Sequence, residues 1–239
     1  MKEKIYILIT GFLLCFSSCS HHEKVKNIFH YNEQSGIATL DPAFAKNQSI
    51  MWAVHQIYNT LVQIDKNLNL VPSLEKSWDI SSDNLTFTFH LRTDVFFQDN
   101  PAFPNGKGRK MTAQDVVYSF ERILDPATAS SGAWIFNGRV DTLQPFKAID
   151  DSTFQLKLLK PFHPILGVMS MQYCSIIPKE VVEKYGKDFR RHPCGTGPFE
   201  FVAWEEDQAL VLKKNPVYFE KDSTGARLPY IDGIKITFL

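Results

Sequence analysis

The sequence predicts an α/β fold with mixed α+β character. Apolar and polar side chains alternate over residues 85–92, as they do in a strand with one buried face. Over residues 47–58 the apolar side chains recur at helical spacing instead. Further strands and helices follow without strict alternation, which favours a mixed architecture over a regular doubly wound sheet.

The alternating segment is expected to form a core hairpin. Residues 75–80, which include Trp78, read as its first strand, and the Ser-Ser-Asp-Asn run at 81–84 reads as its turn. Trp78, Phe87 and Phe89 are expected to pack in the core.

The segments before this hairpin predict a strand, a turn, a helix and a short strand. The strand is expected over 27–33 and the turn at Leu40-Asp41-Pro42, because proline fixes its own φ and restricts the residue before it. The helix of residues 47–58 follows. A short strand over 61–64 is then expected to lead into a loop over 65–70.

A second amphipathic helix is predicted to begin at Thr112. Asp115 stands three residues on, in the arrangement of a capping box, and Asp125-Pro126 is expected to end the helix. The remaining elements, in order, are a hairpin at 147–149 and 153–159, helices at 162–171 and 178–185, a hairpin at 199–204 and 209–213, and a strand at 231–239.

Composition excludes some function classes. The chain has 239 residues, with 26 Lys and Arg balanced by 26 Asp and Glu. Such a neutral chain has no net field to attract nucleic acid, so no nucleic-acid partner is expected.

The N-terminus resembles a secretory signal. Lys2 and Lys4 precede an apolar run over 5–16 that is too short to span a membrane, and Ser17-Ser18-Cys19 follows. A Cys after small residues resembles a bacterial lipobox, although Phe16 is a less usual residue there. We expect a lipoprotein signal peptide at 1–18, lipid on Cys19 and a tether at 19–26. The alternative is an ordinary signal peptide with an incidental Cys.

Two cysteines, Cys174 and Cys194, lie beyond the signal peptide and the lipid-anchor Cys19. Their spacing fits neither a CxxC redox motif nor a zinc knuckle. A disulfide and two buried free thiols are both possible.

Sequence motifs of catalysis are missing. The seven His residues show no metal-ligand spacing, Gly195-Thr196-Gly197 is not followed by the third Gly of a dinucleotide loop, and no nucleophile elbow occurs. We therefore expect no enzymatic activity, no catalytic residue, no metal site and no cofactor.

Several motifs in order resemble the bacterial extracellular solute-binding proteins of family 5, the oligopeptide, dipeptide and nickel-binding type. The segments at 57–62 and 71–78 resemble the family's IYEGLV and VPALAESW, and 83–92 resembles DGKTYTFHLR. Residues 112–119 resemble TAEDVVYS and 195–199 match GTGPF. Leu40-Asp41-Pro42 resembles the family's LDP, and 230–234 resembles YLDGI.

The resemblance implies a periplasmic-binding-protein type II-like first lobe with an extra subdomain. In such proteins two lobes close on a ligand, which a membrane transporter powered by ATP then takes up. The first lobe is expected at 27–44 and 143–239, and the extra subdomain at 45–142. Family members continue into a second lobe that is missing here, so the resemblance predicts a truncated family member; a complete, trimmed protein with another role is the alternative.

The resemblance also implies a ligand and its contacts. It predicts an oligopeptide or dipeptide ligand, an ABC permease and ATPase as partners, and a periplasmic location anchored to a membrane through Cys19. Alternatives are nickel, haem or an oligosaccharide on the same scaffold, or a structural or non-functional lipoprotein remnant. Trp134 has core packing as its alternative role. The expected ligand contacts are Ala45, Lys46, Asn47, Gly132, Trp134 and Phe136.

Overall fold

Three β-sheets and four α-helices form the part of the protein that the computed structural model describes, residues 27–239. The signal peptide, the lipid site at Cys19 and the tether were all predicted for residues outside this range. Within it, no helix combines the length and the apolar character that a membrane crossing requires.

The first sheet joins the two ends of the described chain. Its strands are β1 (Ile28–Glu33), β8 (Phe199–Glu205), β9 (Ala209–Lys214) and β10 (Gly233–Phe238), in the order β1-β10-β9-β8. β1 and β10 are parallel, and the other pairs are antiparallel. The predicted strands and hairpin are confirmed, whereas the pairing of β1 with β10 was not predicted.

A second four-stranded sheet contains the core hairpin. It is built from β4 (Glu75–Ile80), β5 (Thr86–Leu91), β6 (Phe146–Asp150) and β7 (Thr153–Lys157), in the order β4-β5-β7-β6. Both predicted hairpins are confirmed. Because β5 pairs with β7, this sheet continues across the subdomain boundary predicted at residue 142. The division into lobe and subdomain stays a prediction.

The third sheet has only two short strands, β2 (Val62–Ile64) and β3 (Leu70–Pro72). The second of these was not predicted, since residues 65–70 read as a loop. Ser73 and Leu74 then return to the backbone of Leu61, whose carbonyl accepts hydrogen bonds from both amides at 3.0 and 3.1 Å.

The helices are α1 (Gln48–Ile57), α2 (Ala113–Leu124), α3 (Ile165–Met169) and α4 (Lys179–Tyr185). Asp115 caps α2 as predicted, because its carboxylate accepts a hydrogen bond from the Thr112 amide at 2.8 Å. α3 is shorter than the predicted 162–171. Pro164 stands at its N-cap and disfavours helical geometry at the residue before it.

An aromatic cluster holds α2 against the second sheet. The Phe120 ring lies 5.1 Å from that of Phe136 and 5.6 Å from that of Phe154, with Phe146 beside all three. Phe87 and Phe89 are buried, and Trp78 packs half-buried against the same core. These are the packing roles predicted for the hairpin.

Both remaining cysteines are buried free thiols. Cys174 and Cys194 form no disulfide. Burial raises the pKa of each thiol far above its ordinary value, which leaves them unreactive at neutral pH. The free-thiol alternative is the one that the structure contains.

Candidate functional site

The end of α1 is fixed by the segment that matches GTGPF. A β-carbon added at Gly195 would lie 2.2 Å from the carbonyl oxygen of Ile57, and one at Gly197 would lie 2.5 Å from the Ile57 carbonyl carbon. Only glycine permits this approach of two backbones. Gln98 strengthens the junction, since its Nε2 donates to the carbonyls of Ile57 at 3.3 Å and Phe199 at 2.7 Å.

This anchored helix presents one face to three neighbouring depressions. The first has a volume of about 680 Å³ and the second about 320 Å³, and both are lined by His55 and Gln56. We call these two together the α1 groove. The third depression, of about 510 Å³, lies beside Trp52 and is lined by Phe29, Tyr31, Ile234 and other mainly apolar residues. The residues that line the first depression are Lys46, Asn47, Gln48, Met51, Trp52, His55, Gln56, Ser170, Met171 and Gln172.

The first predicted contact loop reaches this groove in part. Lys46 and Asn47 are exposed and line the first depression. Asn47 also caps α1, because its Oδ1 accepts a hydrogen bond from the Ile50 amide at 3.0 Å. Ala45 is fully buried, so neither its side chain nor its backbone is accessible to a ligand in this conformation.

The second predicted contact loop lies outside the residues that line the three depressions. Trp134 is 45% exposed, and the Arg139 guanidinium stands 5.9 Å from the centre of its ring. Phe136, by contrast, is fully buried, with its ring 5.0 Å from that of Phe146. Its side chain therefore packs in the aromatic cluster and does not face a ligand in this conformation.

The two loops nevertheless meet at one place. The Ser130 hydroxyl donates to the Ala43 carbonyl at 2.7 Å, which ties the second loop to the first. A β-carbon on Gly132 would lie 2.6 Å from the Tyr173 ring, next to Gln172 of the groove. The predicted contact set as a whole stays a prediction.

Sequence reasoning missed the exposed face of α1 and the segment at 170–172. Gln172 Nε2 lies 3.0 Å from His55 Nδ1, which joins that segment to the helix. A signal did exist for the helix. Trp52, His55 and Gln56 stand at i, i+3 and i+4, opposite the apolar face that was used to predict α1.

Burial and one charged group, the Glu220 carboxylate, shift the pKa of His55 in opposite directions. The surrounding protein atoms lower its pKa, although the ring keeps contact with solvent, and the nearby Glu220 carboxylate opposes this effect. Among residues 27–239, no group of three or more His, Cys, Asp or Glu is placed to hold a metal ion.

Comparison with known proteins identifies the scaffold. The profile of "Bacterial extracellular solute-binding proteins, family 5 Middle" matches residues 69–239. The chain belongs to this family. The predicted family is therefore confirmed, as is the predicted fold class, a mixed α/β periplasmic-binding-protein type II architecture.

The proteins that are similar to this chain are named for different ligands. A glutathione-binding protein, GsiB of Escherichia coli O1:K1, is 30% identical over 84% of this chain and 36% of its own length. Heme-binding protein A of Haemophilus influenzae is 36% identical over 69% of this chain and 32% of its own. The periplasmic binding protein DppA of Helicobacter pylori, solved with the peptide STSA, superposes with a TM-score of 0.76 at 30% identity, covering 90% of this chain and 43% of that one.

Proposed function

We propose that this chain is the solute-binding component of an ABC importer and that it binds oligopeptides or dipeptides for uptake. The observation that supports this most is the α1 groove, which one predicted contact loop lines. The family membership and the likeness to a protein solved with a peptide point to the same ligand class. The chain spans about two fifths or less of its relatives' length, and this proposal concerns the part that it contains.

The lining of the groove is suited to a peptide of variable sequence. Met51 and Trp52 supply apolar contact area, and the side-chain amides of Gln56 and Gln172 can donate to a peptide carbonyl and accept from a peptide amide. Such contacts recognise the backbone that all peptides share.

Glutathione and haem are the alternatives that the relatives' names support, and nickel or an oligosaccharide are alternatives from the family as a whole. These ligands differ from a linear peptide in shape, so direct titration separates them.

The lipid anchor and the periplasmic location belong to the same proposal. Lipid on Cys19 would hold the receptor close to the permease and ATPase that take its ligand. Mass spectrometry of the N-terminus tests this, because an unmodified Cys19 after expression in a bacterium that lipidates proteins contradicts the anchor.

Two tryptophans offer a matched test of the site. Trp52 is 49% exposed in the groove, and Trp134 is 45% exposed in the second predicted loop. We expect Trp52→Ala to weaken peptide binding about tenfold, because a large apolar contact is lost. The measurement is calorimetric titration of the full chain, in mild detergent, with peptides of two to six residues.

Trp134→Ala tests the second predicted loop in the same way, and glutathione, haem and Ni²⁺ are titrated alongside the peptides. Equal loss in both variants would extend the site to the second loop. If no peptide binds the unaltered chain while glutathione or haem does, the peptide assignment is wrong. Binding of none of these ligands favours the structural or remnant alternative.

A further inference from the structure

Two segments that resemble family motifs meet outside the α1 groove. Asp41 belongs to the Leu40-Asp41-Pro42 segment, and Arg122 lies in α2, three residues beyond the segment 112–119. The Arg122 guanidinium donates from both of its terminal nitrogens to the Asp41 carboxylate, at 3.0 and 2.6 Å. This bidentate ion pair joins α2 to the stretch of chain that precedes the first predicted contact loop.

The ion pair is largely removed from solvent. The Arg122 side chain is 14% exposed and the Asp41 side chain 5%. The guanidinium also covers the ring of Phe189, with its central carbon 5.5 Å from the ring centre. Because solvent screens the two charges little here, their attraction is strong, and removing one of them leaves the other as an uncompensated buried charge. Arg122 therefore fixes the position of the Asp41 carboxylate.

The same carboxylate holds the turn that follows it. Its Oδ1 accepts a hydrogen bond from the Ala43 amide at 3.0 Å and so caps a short 3₁₀ turn, Pro42–Phe44. The Asp41 amide in turn donates to the Thr39 hydroxyl at 2.9 Å. The ion pair with Arg122 and the cap of the turn thus share one side chain, so a displaced carboxylate would disturb both.

The turn continues directly into the first predicted contact loop. The Ala45 amide donates to the Pro42 carbonyl at 3.1 Å. The Lys46 amide donates to the Phe44 carbonyl at 2.8 Å, and Lys46 itself lines the groove. Lys46 stands only five positions after Asp41, and the backbone between them is held by these hydrogen bonds. A movement of Asp41 is therefore expected to reach the lining of the groove.

We propose that Arg122 is a positioning residue for ligand binding: through its ion pair with Asp41 it holds Lys46 and Asn47 in the place where they line the α1 groove. This inference rests on the proposed function and goes further, because it names a residue that does not line the groove and yet sets the affinity of the site.

A double-mutant cycle tests whether Arg122 acts through Asp41. Alanine peptides of two to six residues are titrated calorimetrically into the full chain in mild detergent and into its Asp41→Asn, Arg122→Met and doubly substituted variants. Each single substitution is expected to weaken binding about tenfold. The double variant is expected to lose about tenfold as well, because both substitutions remove the same interaction. Arg122→Lys keeps the charge without the bidentate geometry and is expected to lose about threefold.

Arg109→Met is the matched control, because it separates positioning from a general loss of stability. The Arg109 guanidinium donates to Asp115 at 2.9 and 2.6 Å and to Glu180 at 2.6 and 2.8 Å. It thus joins α2 to α4, and none of these three residues lines the groove. Arg109→Met is expected to lower resistance to urea about as much as Arg122→Met and to bind peptides like the unaltered chain.

The amide signals of Lys46 and Asn47 in ¹⁵N NMR spectra of the peptide-free chain are expected to shift in Arg122→Met and to stay constant in Arg109→Met. If peptides bind but Arg122→Met keeps full affinity, loses no more than Arg109→Met, or multiplies its loss with that of Asp41→Asn, the inference is wrong and the proposed function stands. If no peptide binds the unaltered chain, both fail. Should Arg122→Met not fold, Arg122→Lys decides, because full affinity in that variant contradicts the inference.

Discussion

Glu75 lies in an environment that is unusual for a carboxylate. It is 1% exposed at the start of β4, and neither of its carboxylate oxygens has a hydrogen-bond partner within residues 27–239. Loss of solvation raises its pKa to about 7, and the proximity of His90 offsets this only in part. The sequence predicted a strand here, but a Glu in a half-exposed strand gave no sign that its side chain would be buried.

This shift makes stability depend on pH. The pKa of Glu75 is higher in the folded protein than its ordinary value of 4.5, so as the pH rises the folded state keeps the proton longer than the unfolded state does. The contribution that this pKa shift makes to folding stability is fully present below pH 4.5 and is lost as the pH rises through 7. We expect Glu75→Gln to raise the free energy of unfolding by up to about 3 kcal/mol at pH 8 and to change it little at pH 4.5.

Urea unfolding at the two pH values measures this effect. Glu121→Gln serves as an exposed control and is expected to change stability at neither pH. A Glu75→Gln variant that is equally or less stable than the unaltered chain at pH 8 would show that the carboxylate is solvated or paired in solution.

At the scale of elements, local sequence patterns predicted most strands and helices. They did not predict which distant strands pair with each other. The hairpins β4–β5, β6–β7 and β8–β9 join neighbouring segments, so alternation and turn residues are sufficient to predict them. β1 and β10 lie about two hundred residues apart in the sequence, and no pattern in either segment indicates that they pair. Phe136 was predicted as a ligand contact, and its burial was not foreseen for a related reason, because its loop folds back onto an aromatic cluster drawn from distant elements.

The junction between α1 and the first sheet is the element contact on which the groove depends. We expect Gly197→Ala to lower the free energy of unfolding by about 1–3 kcal/mol, because the added β-carbon meets the backbone of Ile57, which cannot move aside. Peptide affinity should fall as well, since α1 is displaced. Denaturant unfolding and calorimetric titration measure the two effects.

Gly167→Ala is the matched control. Gly167 lies within α3, and a β-carbon there has no neighbour within 4 Å. Alanine favours a helix over glycine by about 0.5–1 kcal/mol, so this variant is expected to be slightly more stable. If Gly197→Ala behaves in the same way, the close approach of the two backbones does not hold α1 in place.

The whole molecule brings together segments that are far apart in sequence around one helix face. Residues drawn from the segments 46–56, 170–172 and 218–230 line the α1 groove, together with Asn59, Gln63, Pro198 and Phe199. The resemblance predicted the scaffold and the loop at Lys46, because ordered motifs report the fold. The other two segments carry no motif of their own for ligand contact, and only the folded chain places them beside α1.

The claim that this groove binds peptide is tested most directly by NMR of the uniformly ¹⁵N-labelled full chain in mild detergent, titrated with a free tetrapeptide. The account predicts that amide shifts change at residues 46–56, 170–172 and 218–230, and that signals of the aromatic cluster around Phe120 stay constant. Changes confined to other surfaces, or no changes up to millimolar peptide, would contradict it.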